Sequence, residues 1–340
     1  MKFVPLKRLA AVALAAMAAL AVALSGVVAV TATPQAQGSV VRVVTGNAIA
    51  QDFVQQVGGQ HVEAFSVVPL GADPHTYQPT PRDIQALQGA RLAVWNGLGL
   101  DDTAADLVAE QGLPGLRVVV LTDGVTPLMA DGDEHADEHG DEHEGEVADE
   151  HADDEEHADE HEDEHGHGHV AGNPHLWLDP GYAALYVQVI RDALIETDPA
   201  NADAYRANAD AYIGEINVLD AWAKTEIATI PAERRKLVTF HDAFPYFAQH
   251  YGLELAGVVL KSPGREPSAQ EIAALVTEMQ QHQIPAVFAE PQFNARILEL
   301  AAKDAGVQVK RLYSDAFDDE VKTYLDMLRY NVTSVTEGLR

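Results

Sequence analysis

The chain has 340 residues, of which 47% are hydrophobic, enough for one large or two ordinary domains with buried cores. Its formal net charge of −31 at pH 7 excludes nucleic acid as a partner, because phosphate binding requires a basic face. The absence of cysteine excludes disulfides, and from it we expect a protein that is not lipidated through Cys. Residues 131–169 hold twenty acidic residues and no Lys or Arg, so the rest of the chain carries a formal net charge of −11.

The N-terminus has the pattern of an export signal. Three basic residues among the first eight precede an almost wholly apolar run, Leu9–Val30, which is long for a signal peptide and near the minimum for a membrane span. We therefore predict a signal peptide, cleaved near Ala32 or Ala36, or an uncleaved N-terminal membrane anchor over residues 1–32. The protein is expected to be exported and to be periplasmic or otherwise extracytoplasmic.

Short β-branched runs alternate with helical patterns over residues 40–124. Continuous apolar strands that alternate with helices predict a parallel sheet covered on both faces. The predicted strands of this N-terminal α/β lobe, residues 40–198, are "VVRVVTG", "VEAFSVVP", "ARLAVWNG" and "LRVVVLTDG".

Residues 131–169 interrupt this lobe with repeats of "DEH". Like charges on neighbouring turns oppose a helix and no apolar residues are available for a core, so we predict a disordered acidic, His-rich insertion. It is either a solvated loop without a specific role or a set of accessory, weak metal contacts. The histidines concerned are His135, His139, His143, His151, His157, His161, His165, His167 and His169.

Residues 199–230 are predicted to form one long linking helix, in which apolar residues recur every three or four positions. A C-terminal α/β lobe, residues 231–340, then repeats the alternation with the strands "RRKLVTF", "LELAGVVL", "IPAVFAE" and "VQVKRLY". The fold is thus expected to be α/β, with two similar lobes, each a roughly four-stranded parallel sheet flanked by helices. A ligand between them would lie at the carboxyl ends of the strands.

Four potential metal ligands follow predicted strands, two from each lobe. They are His75, His175, His241 and Asp315. Three imidazoles and one carboxylate suit Zn²⁺, and also Mn²⁺ if the site is looser. The separations of 100, 66 and 74 residues fit no local metal motif, so the pattern leaves open a shared metal site or four unrelated surface roles. His61, His250 and His282 are expected to have no special role, and Asp179 is predicted to cap a helix.

Several stretches resemble the metal-binding solute-binding proteins of zinc and manganese ABC importers, the cluster A-I family. They are "GADPHTYQPTPRDI", "NPHLWLDP", "DPANADAYRANADAYI", "TFHDAFPYFAQHYGLE", "SPGREPSAQEIAAL", "VFAEPQFN" and "LYSDAF". The resemblance implies two lobes joined by one rigid helix, with the metal in the cleft between them. It implies His75, His175, His241 and Asp315 as ligands. Glu290 also follows a predicted strand, so it is the alternative carboxylate, either as a substitute ligand or as a group behind the ligands.

The resemblance also bears on the metal and the partner. Manganese-binding members commonly have Glu where this chain has His241, and many zinc-specific members have an acidic, His-rich insertion before the second ligand. A zinc receptor that delivers Zn²⁺ to an ABC-type membrane permease is therefore expected, monomeric and not an enzyme. The alternatives are a manganese or mixed divalent-metal receptor, a zinc-dependent hydrolase, which would lack any "HExxH" pair, and a metal-binding adhesin involved in cell adhesion.

Overall fold

The computed structural model describes residues 40–129, 172–260, 267–294 and 296–340. The predicted signal peptide or anchor and the acidic His-rich insertion lie outside these ranges. Among the helices that are described, none combines the length and the apolar character that a membrane span requires.

The first half of the described chain forms a four-stranded sheet in the order β2-β1-β3-β4, in which all pairs are parallel. Its strands are β1 (Val41–Thr45), β2 (Val62–Ser66), β3 (Leu92–Trp95) and β4 (Arg117–Val120). The two central strands are almost completely buried, as expected for a parallel sheet with helices on both faces.

The second half repeats this topology in a sheet of order β6-β5-β7-β8, again all parallel. Its strands are β5 (Lys236–His241), β6 (Glu254–Leu260), β7 (Ala286–Ala289) and β8 (Gln308–Arg311). The prediction of an α/β fold with two similar parallel sheets is confirmed. In each sheet the strand order reverses next to the first strand, which opens a crevice at the carboxyl ends of the strands.

Nine α-helices lie within the described ranges and cover the sheets. They are α1 (Ala48–Gly58), α2 (Pro81–Ala86), α3 (Asp102–Glu110), α4 (Pro180–Thr197), α5 (Ala202–Ile227), α6 (Pro245–Tyr251), α7 (Ala269–Gln281), α8 (Arg296–Ala305) and α9 (Tyr324–Leu339). Several start at capping residues. Asn47 accepts a hydrogen bond from the Ala50 N–H, and Asp179 accepts one from the Gly181 N–H, so Asp179 is the predicted helix cap.

Helix α5 is the predicted long linking helix between the two sheets. Its buried stripe repeats every three or four residues and consists of Tyr205, Ala209, Tyr212, Ile216, Leu219, Ala223 and Ile227. The helix belongs to one core cluster that contains residues from both sheets and from α9. The Asp52 carboxylate of α1 reinforces this core, since it accepts hydrogen bonds from the Tyr324 N–H at the start of α9 and from the Tyr212 hydroxyl of α5.

Candidate metal centre

His75 lies in the loop that follows β2. The Asp73 carboxylate accepts a hydrogen bond from the His75 N–H at 3.0 Å and another from the Thr76 hydroxyl at 2.9 Å, which fixes the backbone on both sides of the imidazole. The His75 side chain is 11% exposed, more than the other three candidate ligands. It is therefore the candidate ligand nearest to solvent.

His175 is buried in a short turn that leads into α4. The side-chain oxygen of Asn173 accepts hydrogen bonds from the His175 N–H at 3.1 Å and from its Nδ1 at 2.8 Å. With Nδ1 engaged in this way, Nε2 faces the cleft. Trp177 packs edge-on against the imidazole and donates its indole N–H to the Ser314 carbonyl at 3.0 Å, which links this turn to the segment that carries Asp315.

His241 is the last residue of β5 and is buried. Its backbone N–H and Nδ1 both meet Glu290 Oε1, at 3.2 and 2.9 Å, and Glu290 follows β7, the neighbouring strand. The ring of Phe293 packs edge-on against the imidazole. His241 Nε2 is thereby directed towards the cleft, as Nε2 of His175 is from the other sheet.

Asp315 follows β8 and is buried. The segment before it is held against α9, where Asn331 accepts from the Tyr313 N–H and donates to the Tyr313 carbonyl. Asp315 Oδ1 lies 3.2 Å from His175 Nε2, and Oδ2 lies 3.1 Å from His241 Nε2. Both carboxylate oxygens are therefore directed at imidazoles.

The structure brings together one ligand atom each from His75, His175, His241 and Asp315, all within 4.8 Å of one another. His175 Nε2 lies 3.1 Å from His75 Nε2 and 3.3 Å from His241 Nε2, whereas His75 Nε2 and Asp315 Oδ2 are 3.9 Å apart. Zinc bonds of about 2.0–2.2 Å in a tetrahedron separate neighbouring ligand atoms by about 3.3–3.6 Å. The arrangement thus has the dimensions of a four-ligand metal site, and the role of the four residues as ligands stays a prediction.

The electrostatics of this cleft suit a cation. Burial lowers the pKa of His75 to about 3, so its imidazole is neutral and able to bind a metal at neutral pH. Burial alone would lower the pKa of His241, but Glu290 and Asp315 outweigh it and hold that pKa well above its usual value. Burial alone would raise the pKa of Asp315, but His175 and His241 hold it well below its usual range. A metal ion at His241 Nε2 would take the place of a proton.

Glu290, the alternative carboxylate, lies on the Nδ1 side of His241 and is not a member of the four-ligand group. Its second oxygen accepts hydrogen bonds from the Ser314 hydroxyl and, at 3.3 Å, from the Gln292 amide. Glu290 is thus engaged on both oxygens by groups behind the ligands, although a role as ligand stays open. The nine histidines predicted as accessory contacts lie outside the described residues.

Sequence reasoning missed two features of the described chain. Asn173 was not singled out, although its position two residues before His175 is the usual spacing for an Asn side chain that accepts from the backbone. His250 was expected to have no special role. Instead its two ring nitrogens contact Asp179 at 2.9 Å and Asp220 at 2.8 Å, so it joins α6 to both α4 and α5.

Comparisons with known proteins show similarity to metal-binding proteins. Residues 43–338 match the family model described as "ZnuA: Zinc-uptake complex component A periplasmic". The chain is 29% identical to the manganese-binding lipoprotein MntA of Halalkalibacterium halodurans, over 89% of each chain. It is 30% identical to the iron-binding protein YfeA of Yersinia pestis, over 87% of this chain and 86% of the relative. The periplasmic zinc-binding protein TroA of Treponema pallidum superimposes with a TM-score of 0.70 at 25% identity, covering 89% of this chain and 99% of that one.

The comparisons correct one prediction. From the lack of cysteine we expected a protein that is not a lipidated lipoprotein. MntA and several streptococcal relatives are named lipoproteins, so members of this kind are extracytoplasmic proteins anchored to the membrane. These names contradict the prediction, which had set this cysteine-free chain apart from relatives that are named lipoproteins.

The family match spans almost the whole described chain, and relatives are named as metal ABC transporter substrate-binding proteins. Their names specify manganese, iron or zinc, so the comparisons establish the class of cargo and leave the individual metal open. The chain therefore belongs to the family "ZnuA: Zinc-uptake complex component A periplasmic" and is a metal-binding substrate-binding protein of an ABC transporter.

Proposed function

We propose that this protein captures Zn²⁺ outside the cytoplasmic membrane and delivers it to an ABC-type permease, with His75, His175, His241 and Asp315 as the ligands. The observation that carries the proposal is the convergence of three imidazole nitrogens and one carboxylate, two residues from each half of the chain. Zinc is borderline-soft and commonly bound by imidazole and carboxylate together, and this donor set is rich in imidazole. The family resemblance also favours zinc, because manganese-binding members commonly have Glu where this chain has His241.

The site is suited to holding and releasing the ion without chemical turnover. Four protein ligands would complete a tetrahedral shell and leave no position for an activated water, unlike catalytic zinc sites with three protein ligands. Asn173 and Glu290 each occupy the Nδ1 side of a ligand imidazole, so Nε2 of His175 and of His241 is available to the metal. Release would come from local movement of a loop that bears a ligand, such as the loop of His75, the candidate ligand nearest to solvent.

Manganese is the second candidate cargo. Asp315 directs both carboxylate oxygens at the cleft, and binding through both would raise the coordination number above the four that zinc prefers. MntA is named a manganese-binding protein, which is a further reason to test this metal. An imidazole-rich site nevertheless favours zinc over manganese, because manganese is better suited to oxygen ligands and lies lower in the affinity order for such sites.

Calorimetric titration of chelator-treated protein with Zn²⁺ and with Mn²⁺ at the same pH tests the proposal. One tight zinc equivalent, with manganese bound more weakly, is the expected result, and His175→Ala should abolish or severely weaken it. Tighter binding of manganese would assign the protein to manganese uptake. Retention of the tight site in the variant would contradict the ligand assignment.

A further inference from the structure

Asn173 is buried, at 1% exposure, and every hydrogen-bonding group that it carries has a partner. Its N–H donates to the Leu128 carbonyl at 2.7 Å, and its carbonyl accepts from the Tyr246 hydroxyl at 2.8 Å. Its side-chain oxygen accepts from His175, and its side-chain nitrogen donates to the Asp242 carbonyl at 2.6 Å. Because every donor and acceptor of this buried side chain has a partner, the Asn173 amide has a single orientation.

The neighbours determine which end of the amide faces which partner. The His175 backbone N–H can only donate, so the oxygen of Asn173 must face it, and the Asp242 carbonyl can only accept, so the NH₂ group must face that side. The same oxygen faces His175 Nδ1, so Nδ1 must carry the proton. Nε2, the other ring nitrogen of His175, then faces the cleft, where the other ligand atoms converge.

The Asp242 contact connects the two halves of the site. Asp242 follows His241 directly, so the amide of Asn173 is held by the loop that carries one ligand while it orients another, His175. Tyr246, at the start of α6, adds a second link to the same segment, because its hydroxyl contacts both the Asn173 carbonyl and the Leu128 N–H. One side chain thus aligns ligands that reach the site from different sheets.

From these contacts we propose that Asn173 is a positioning residue for metal capture. It holds His175 in the tautomer that binds through Nε2, and the loop after His241 holds Asn173 in turn. The inference rests on the proposed function, in which His175 is a ligand. An aspartate at this position would keep an acceptor for His175 but would place a second oxygen against the Asp242 carbonyl, whereas alanine would remove both contacts.

The test compares Asn173→Ala and Asn173→Asp with a matched control, Asn208→Ala. Asn208 also donates its amide to a backbone carbonyl, that of Val57 at 2.9 Å, but it lies on α5 and has no contact with the four ligands. Zinc affinity is measured by competition with a chelator. The ring nitrogens of His175 are followed by ¹⁵N NMR of the zinc-free protein, which reports the tautomer.

Asn173→Ala should weaken zinc binding by about 10–100-fold and abolish the dominance of the Nδ1–H tautomer at His175. Asn173→Asp should restore that tautomer and bind zinc more tightly than the alanine variant, while Asn208→Ala should match the parent protein. A purely structural residue would show no such rescue, since both replacements lose the Asp242 bond. Equal affinity of the two variants, or an unchanged tautomer in Asn173→Ala, would overturn the proposal.

These outcomes are separable from a failure of the proposed function. If the parent protein binds no zinc tightly, the receptor proposal fails, yet the NMR comparison in the zinc-free protein still decides whether Asn173 sets the tautomer of His175. If the parent protein binds zinc and the tautomer is insensitive to position 173, only the role of Asn173 is overturned. Should the alanine variant fail to fold, Asn173→Leu, which also removes the acceptor for His175 but keeps a similar volume, takes its place in the NMR comparison.

Discussion

His241 and Glu290 lie side by side at the carboxyl ends of two neighbouring strands, β5 and β7, with His241 Nδ1 2.9 Å from Glu290 Oε1. The strand order of the second sheet reverses between these strands, so the pair occupies the position where open α/β sheets form their binding crevices. The Glu290 carboxylate accepts hydrogen bonds from the ring N–H and from the backbone N–H of His241. With His241 as a proposed ligand, we expect its metal-binding strength to depend on Glu290, a residue outside the four-ligand group.

Replacement of Glu290 tests that dependence. Glu290→Ala should weaken zinc binding by about 10–100-fold, because His241 loses the group that orients it and that raises its basicity. Glu290→Gln should cost less, since its side-chain oxygen can still accept from Nδ1. Calorimetric titration of both variants beside Asp315→Ala measures the order. Asp315→Ala is expected to be the weakest binder. A larger loss in Glu290→Ala than in Asp315→Ala would identify Glu290 as the ligand carboxylate.

His250 predicts a pH dependence of stability. Burial alone would lower the pKa of His250, but its hydrogen bonds to Asp179 and Asp220 outweigh burial and raise it. A pKa that is raised in the folded state stabilises the fold fully below the unfolded-state value of 6.5, and the stabilisation is lost as the pH rises through the folded-state value. His250→Gln should therefore lower the free energy of unfolding by about 1 kcal/mol at pH 6 and by less at pH 9.

The matched control for this prediction is His282→Gln. His282 also contacts a carboxylate, that of Glu278 at 3.0 Å, but its side chain is 41% exposed and it directly follows α7, the helix that carries Glu278. Urea denaturation of the parent and both variants at the two pH values gives the comparison. An equal loss for His250→Gln at pH 6 and pH 9 would show that the imidazole contributes by packing rather than by charge.

Gly46 is predicted to be intolerant of any side chain. A Cβ at this position would lie 2.0 Å from Asp101 Oδ2, and the Asp101 carboxylate is buried and held by the N–H groups of Asn96 and Gly97. Gly46→Ala should lower the free energy of unfolding by about 1–3 kcal/mol through overpacking. Gly214 in α5 is the control, since a Cβ there meets nothing within 4 Å. Gly214→Ala should stabilise the protein by about 0.5–1 kcal/mol. Urea titration measures the free energy of unfolding of both variants, and an unchanged value for Gly46→Ala would contradict the close contact between Gly46 and Asp101.

The acidic insertion yields a prediction from sequence alone. Nine histidines among twenty carboxylates offer weak ligands at high local concentration, so deletion of residues 131–169 should remove weaker zinc equivalents and leave one tight site. Calorimetric titration of the deletion variant measures both classes of site. Loss of the tight site with the insertion would contradict the assignment of the ligands to the two α/β sheets.

The sheets could be predicted because their central strands are largely apolar runs, which become buried between helices in two parallel sheets. The long helix α5 was predictable for a related reason, since its apolar stripe repeats every three or four residues. Helix ends followed from single residues such as Asp179, whose side chain caps α4. In each case the signal lies within about ten residues of the element that it specifies.

The candidate site could not be derived in this way, because its residues are 100, 66 and 74 positions apart and only the fold brings them within 4.8 Å. Only the resemblance to a known family indicated that these four residues form one site. The hydrogen bonds of Asn173 with Asp242 and of His250 with Asp220 could not be predicted for the same reason, since each joins residues distant in sequence. An Asn or a His with such partners has the same local sequence context as one exposed to solvent.

The most direct test of the account is a crystal structure of the zinc-loaded protein with anomalous diffraction recorded at the zinc edge. One strong anomalous peak is expected between the two sheets, from a zinc ion bound by Nε2 of His75, His175 and His241 and by a carboxylate oxygen of Asp315, with bonds of about 2.0–2.2 Å. A peak at any other position, or a zinc ion bound by Glu290 in place of Asp315, would contradict it.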